Sequence, residues 1–260
     1  AKGVEDTAFY VYNRLLSLNE VGGDPRQFGR SVASFHRRNL HRLIRSPYGL
    51  SATATHDTKR GEDTRARLNV LSEMPRQWQE ALSRWSRLNR KYRVQHGDQV
   101  VPDRNEEYFL YQTLIGAWPL GPARLEEKAC GEGEAPAEPE GSGSAGASPS
   151  RGLASHREHR EKQAIAHRVP VHSAANGLPG PGVRSSSEEQ QAFFVERIQA
   201  YVQKAMHEAK VHTSWINPNP RFDEAMKQFV AAILDEGRSR RFLQDFRAFQ
   251  GSVSHYGLFN

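Results

Sequence analysis

Cysteine is nearly missing: Cys130 is the only one in 260 residues. No disulfide can form within the chain, and a reducing cytoplasm is the compartment that fits. Long apolar runs are missing as well. None approaches the ~20 residues that a bilayer-spanning helix needs, and the amino terminus carries neither a basic region nor a hydrophobic segment after it. The chain therefore reads as soluble, with no membrane partner expected. Charge of one sign does not dominate. Thirty-six Lys and Arg against 30 Asp and Glu leave +6, interleaved along most of the chain rather than gathered into a patch. Solvated helix faces account for that pattern, and no nucleic-acid partner is expected. Hydrophobic residues are scarce too, at 37%, below the usual globular share.

That last deficit sits largely in the middle. From about Ala129 to Ser186 the composition turns to Gly, Ala, Ser, Pro and Glu, as in Gly131-Glu132-Gly133-Glu134-Ala135-Pro136. Such a stretch buries too little apolar surface to offset its ordering entropy, which predicts a disordered insertion over 129–186. His156, His159, His167 and His172 fall inside it, yet no Cys partners and no helical His pair accompany them. A polar linker is the reading, with no metal and no cofactor implied. The remainder divides into 1–128 and 187–260.

Both flanks are rich in helical periodicity. Asp6 to Leu18 predicts a helix closed by Gly22-Gly23-Asp24-Pro25, and a second begins near Pro25 and stops before Ser46-Pro47, with Phe28, Val32, Phe35, Leu40 and Leu43 on one side. Trp78, Ala81, Leu82, Trp85, Leu88 and Tyr92 make a core-facing stripe behind Pro75. Tyr108, Tyr111, Leu114, Ile115 and Trp118 make another, ended by Pro119. Past the insertion, Ser186 and Glu189 suggest a capping box before Phe194, Ile198, Tyr201 and Ala205. Asn219-Pro220 starts a helix that Gly237 ends, and Phe242, Phe246 and Phe249 begin the last one.

The stretch Thr53-Ala54-Thr55-His56-Asp57-Thr58-Lys59-Arg60 stands apart. Leu50 to Thr55 suits a closely packed strand, whereas His56, Asp57, Lys59 and Arg60 cannot be buried there without polar partners. A strand delivering charged groups to its carboxyl end is how a (β/α) barrel builds a catalytic site. A solvated turn with surface ion pairs, involving Asp6, Arg60, Glu62, Asp63 and Arg65, is the competing reading.

The His-Asp run follows Ala1-Lys2-Gly3-Val4-Glu5-Asp6-Thr7-Ala8-Phe9-Tyr10, Asn13-Arg14-Leu15 and Ser17-Leu18-Asn19-Glu20-Val21-Gly22-Gly23-Asp24-Pro25. It precedes Asn105-Glu106-Glu107-Tyr108, Gly116-Ala117-Trp118-Pro119, Phe194-Val195-Glu196-Arg197 and Lys210-Val211-His212-Thr213-Ser214-Trp215-Ile216-Asn217-Pro218-Asn219. In this order the motifs resemble maltooligosyl-trehalose synthase, of the α-amylase superfamily. The resemblance implies an α/β fold, part of a (β/α)8 barrel with large helical excursions, the piece itself being mostly helical. It implies an isomerase of the (1→4)-α-D-glucan 1-α-D-glucosylmutase type. Such an enzyme moves the terminal α-1,4 bond of a maltooligosaccharide to α,α-1,1 in trehalose biosynthesis, and is functionally linked to a maltooligosyl-trehalose trehalohydrolase.

By that resemblance Asp57 is the third catalytic carboxylate and His56 its substrate-binding neighbour. Lys59, Lys2, Glu5, Tyr10 and Arg14 are further substrate-binding candidates. Trp215 could wall the acceptor site or simply pack. No motif matches the nucleophile or the acid/base, so the chain reads as a carboxy-side fragment of the catalytic domain, inert by itself. Val11 replaces the Arg of the family's Tyr-Arg-Tyr. An α-amylase-type hydrolase and a non-catalytic basic helical module remain the alternatives.

Overall fold

A nearly all-buried helix, α5 (Arg104–Ala117), runs through the core. All but Tyr108 from Glu106 to Gly116 are buried, including Phe109, Leu110, Tyr111, Leu114 and Ile115. The computed structural model describes residues 2–97, 99–119 and 187–260. The insertion expected over 129–186, with Cys130, its four histidines and Ser186 of the suggested capping box, lies outside them.

The other helices are α1 (Lys2–Val11), α2 (Val32–Arg45), α3 (Glu62–Val70), α4 (Pro75–Asn89), α6 (Ser187–Ala209), α7 (Pro220–Leu234) and α8 (Arg240–Gly257). α3 packs on α5 and α8, α4 on α8, and α6 on α1 and α7. Residues on both sides of the middle stretch thus share one hydrophobic cluster. Its densest part is aromatic. Trp85, fully buried, meets Tyr111, Phe242, Phe246 and Trp78 with ring centroids 5.2–5.9 Å apart. Its indole Nε1 donates to Asp245 Oδ2 at 2.6 Å, so the one polar atom of a large apolar side chain is satisfied on burial.

Local chemistry sets most helix starts. Pro75 and Pro220 occupy the first turns of α4 and α7, where a missing N–H costs nothing. Asn219 accepts from the Phe222 amide, Ser31 from that of Ser34, and Asp103 with Glu106 closes a full capping box on α5.

Four expectations need correction. The helix predicted over Asp6–Leu18 starts earlier and ends at Val11, because Asn19 Nδ2 donates to the carbonyls of Phe9 and Tyr12 at 2.8 and 2.7 Å and satisfies the groups a further turn would have used. α2 begins at Val32, not near Pro25. α7 ends at Leu234, before Gly237. The strand expected over Leu50–Thr55 does not form, and Leu50 is fully exposed. A buried parallel strand needs neighbours on both edges and helices on both faces. The only sheet among the described residues is the hairpin β1 (Val94–His96) and β2 (Gln99–Val101), paired antiparallel with Val94 opposite Val101. The described residues are mostly helical, as expected, and contain no barrel strand.

α2 is the exception to the packing. None of its residues is buried; Phe35, Leu40, Leu43 and Ile44 are between 58% and 69% exposed.

Candidate active-site segment

Threonines shape the segment that carries His56 and Asp57. The Thr55 amide donates to Thr58 Oγ1 at 2.6 Å, the Thr58 amide to the Thr55 carbonyl at 3.2 Å, and the Asp57 amide to Thr55 Oγ1 at 3.3 Å. These bonds fold residues 55–58 into a tight turn, the local alternative that short hydroxyl side chains offer to an extended strand. On it His56 Nε2 lies 3.2 Å from Asp57 Oδ2, with 83% and 34% of the two side chains exposed.

Lys59 ties this turn to the amino-terminal motifs. Its amide donates to both carboxylate oxygens of Glu20 at 3.0 and 3.1 Å, and its Nζ reaches Asp6 Oδ1 at 2.5 Å. The Lys59–Asp6 pair is largely shielded, with side chains 15% and 20% exposed. Glu5 Oε1 accepts from the Gly22 amide at 3.3 Å, at a turn where Gly22 takes φ +75°, a value that favours glycine. Three motifs distant in sequence, around residues 5–6, 20–22 and 56–59, therefore meet in one polar neighbourhood.

Arg60 is buried and donates from Nη1 to the Leu16 carbonyl at 3.2 Å, while its Nη2 finds no partner among the described residues. Glu62 accepts from the Thr53 hydroxyl, and Arg65 donates to the Thr53 carbonyl. Asp6, Arg60, Glu62 and Arg65 thus act as braces of the segment, as the ion-pair reading anticipated in part.

The other candidates are dispersed. Tyr10 is buried against Phe109, with centroids 6.2 Å apart; burial pushes its hydroxyl far up, helped by Tyr201, while Arg60 opposes. Arg14 is exposed, and its carbonyl accepts from the Tyr108 hydroxyl at 2.9 Å. Lys2 lies on the first turn of α1. Trp215, 59% exposed, belongs to the loop between α6 and α7. Its Nε1 donates to Glu208 at 3.0 Å, and its ring rests on His207, itself 2.9 Å from Asp223 Oδ2.

A cluster that sequence reading missed lies at the start of α5: Asp103, Glu106 and His212. Burial pushes the Glu106 carboxyl up to about 7; a backbone hydrogen bond from Asp103 opposes the rise, and the Asp103 charge adds to it. The Asp-x-x-Glu spacing signals a cap, but nothing in the sequence pairs it with His212.

A lone carboxylate beside an imidazole, at an exposed and braced turn, can accept hydrogen bonds from hydroxyls and stabilise nearby positive charge. It cannot carry a double displacement by itself, since that needs a nucleophile and an acid/base carboxyl group together. No family model matches the chain. A curated protein of Mycobacterium tuberculosis strain H37Rv, whose name assigns it provisionally to maltooligosyl trehalose synthase, is 31% identical over 237 residues, covering 90% of this chain and 21% of that protein. The crystal structure of a hypothetical maltooligosyl trehalose synthase of Sulfolobus tokodaii superposes over 97% of this chain and 24% of its own, with TM-score 0.61 and 26% identity. Maltooligosyltrehalose synthase from Arthrobacter ramosus does so over 99% and 23%, with TM-score 0.58 and 28% identity. The chain thus spans about a fifth of the length of the curated relative. Similarity that runs through nine-tenths of the chain, with solved neighbours that carry this name, makes this chain a member of the maltooligosyl trehalose synthase family.

Proposed function

We propose that the protein to which these residues belong converts the terminal α-1,4 bond of a maltooligosaccharide into an α,α-1,1 bond, and that this chain supplies the third carboxylate, Asp57. The supporting observation is the His56–Asp57 pair on a threonine-braced turn, fixed through Lys59 to α1 and to Glu20. Retaining chemistry uses a nucleophile and an acid/base carboxyl ~5–5.5 Å apart; in this reading both come from other parts of the protein. Asp57 would bind sugar hydroxyls and oppose the positive charge that develops at the anomeric carbon. His56 would hold a neighbouring hydroxyl.

The reaction breaks one C–O bond and forms another within one molecule. The glycosyl group leaves O4 of the terminal glucose and is taken up by O1 of that same glucose, with no net water consumed. Water must therefore be kept out while the detached glucose turns, and the loop bearing Trp215 is our candidate for part of that wall. The product is a substrate for a hydrolase that releases trehalose.

In the complete enzyme Asp57→Asn should lower kcat by on the order of 10² or more with the fold intact, since it removes charge and almost no volume. Single-turnover assays for trehalose-terminated product, with circular dichroism alongside, test this. An unchanged kcat would leave Asp57 a structural residue.

A further inference from the structure

The capping box of α5 leaves one oxygen over on each carboxylate. Asp103 Oδ1 accepts from the Glu106 amide and Glu106 Oε2 from the Asp103 amide, both at 2.8 Å. The two oxygens not used by the cap, Asp103 Oδ2 and Glu106 Oε1, lie 3.8 and 3.5 Å from His212 Nε2. All three atoms fall within 4.8 Å of one another, the one such His-carboxylate group among the described residues. These separations exceed the ~2.7–3.2 Å of a good hydrogen bond. Ligand atoms about 2.0–2.2 Å from a tetrahedral ion stand roughly 3.3–3.6 Å apart; the 3.5 Å separation falls in that range and the 3.8 Å one lies just beyond it.

The surroundings favour a ligand too. Glu106 is only 7% exposed, and the cap supplies a donor to its Oε2 alone, Oε1 facing His212 Nε2 at 3.5 Å. A carboxylate on so buried a side chain is favoured by positive charge at the oxygen the cap does not use. His212 is held in place independently. Lys210, at φ +58°, ends α6 and turns the chain back. Asn219 Nδ2 donates to the His212 carbonyl at 3.3 Å, and the imidazole packs on Phe222 at 5.2 Å between centroids. The three side chains line one small cleft, with about 30 Å³ of room for water, together with Tyr10 and Asn13. Asp103, half exposed, leaves its mouth open to solvent, room for water as a fourth ligand. The positive end of α5 contributes only about half a charge against two carboxylates.

We infer that Asp103, Glu106 and His212 form a site for a divalent transition-metal ion of the zinc or cobalt type. One imidazole nitrogen with two carboxylate oxygens suits those ions better than magnesium or calcium, which prefer oxygen alone. The ion would clamp the start of α5 to the segment leading into α7, in a place separate from His56 and Asp57. This inference does not depend on the proposed reaction.

The test is titration of the chelator-stripped 260-residue chain with Co²⁺, read by its visible absorption, and with Zn²⁺, read by the rise in Tm. The chain should take up Co²⁺ with a tetrahedral spectrum. Glu106→Gln keeps the capping box, since Gln serves at that position, yet removes the ligand charge. It and His212→Gln should each weaken binding at least about tenfold, because even residues behind the ligands matter by ~10–100-fold. Replacing His156, His159, His167 and His172 together by Gln should leave the Co²⁺ signal in place. No tetrahedral signal in the parent chain, equal affinity in Glu106→Gln, or loss of the signal only in the fourfold variant would each overturn the inference. Should His212→Gln fail to fold by circular dichroism, Glu106→Gln decides.

Discussion

Tyr10 and Trp215 show how differently two aromatic site candidates sit. Because burial raises the Tyr10 hydroxyl well above the ordinary ~10, the folded chain keeps that proton where the unfolded chain loses it. Native protein then binds more protons above pH ~10, so stability falls as pH rises past that value. Tyr111, raised by burial and by Glu107, adds a slope of the same sign. Tyr10→Phe should therefore make the loss of stability between pH 9 and 11 shallower without abolishing it, as urea titrations at each pH would record. An unchanged slope would mean that the Tyr10 hydroxyl ionises freely in the native state. Trp215 is the opposite case. With more than half its surface in solvent, Trp215→Ala should change stability by no more than ~0.5 kcal/mol. In the complete enzyme, if it walls the acceptor site, the ratio of free glucose to trehalose-terminated product should rise. A fixed ratio would move the wall elsewhere.

The contact between α3 and α5 depends on one missing methyl group. A Cβ on Gly116 would stand 2.5 Å from Thr64 Cγ2, while the Gly116 carbonyl accepts from Thr64 Oγ1 at 3.3 Å and from Arg67 Nη1 at 2.8 Å. Neither helix can withdraw without lengthening those bonds. Gly116→Ala should lower stability by ~1–3 kcal/mol, as overpacking does. Thr64→Ser, which removes the clashing methyl and keeps the hydroxyl, should recover much of it in the double variant; additive losses in chemical denaturation would refute the clash. Elements of this kind were legible in the sequence wherever a helix buries its own periodic face. The stripe of Trp78, Ala81 and Trp85 behind Pro75, and that of Phe242 and Phe246, read correctly because the spacing lies inside the element, joined in the first case by the Pro75 start signal. Leu50–Thr55 did not, since a strand is completed by neighbours that its own residues do not specify. The hairpin at Val94–Val101 is too short for a period to show. The same division holds for the site. His56, Asp57 and Lys59 lie within four residues and could be picked out as candidates, whereas the meeting of Asp103 with His212 depends on where the segment after α6 falls against α5.

At the scale of the molecule, the core is shared by residues from both sides of the middle stretch, while α2 lies outside it. Phe35, Leu40, Leu43 and Ile44 make an outward apolar face beside the exposed Tyr48 and Leu50, of the sort that elsewhere marks a contact surface. The 260-residue chain should accordingly self-associate. Analytical ultracentrifugation should show mass rising with concentration, and Leu43→Lys with Ile44→Lys should return it towards the monomer; a monomer at all concentrations would refute this. The bare face also has a meaning in time. The helical core can close on itself, but residues 32–56, nearly all exposed, would gain burial only from partners that the described residues do not provide. In the complete enzyme their amides would be the last here to gain protection from hydrogen exchange during folding, and a protease given early would cut there first. The turn bearing Asp57 would be held meanwhile only by its own threonines and by Lys59, so that the carboxylate proposed to bind sugar would stand uncovered until the rest of the protein is in place.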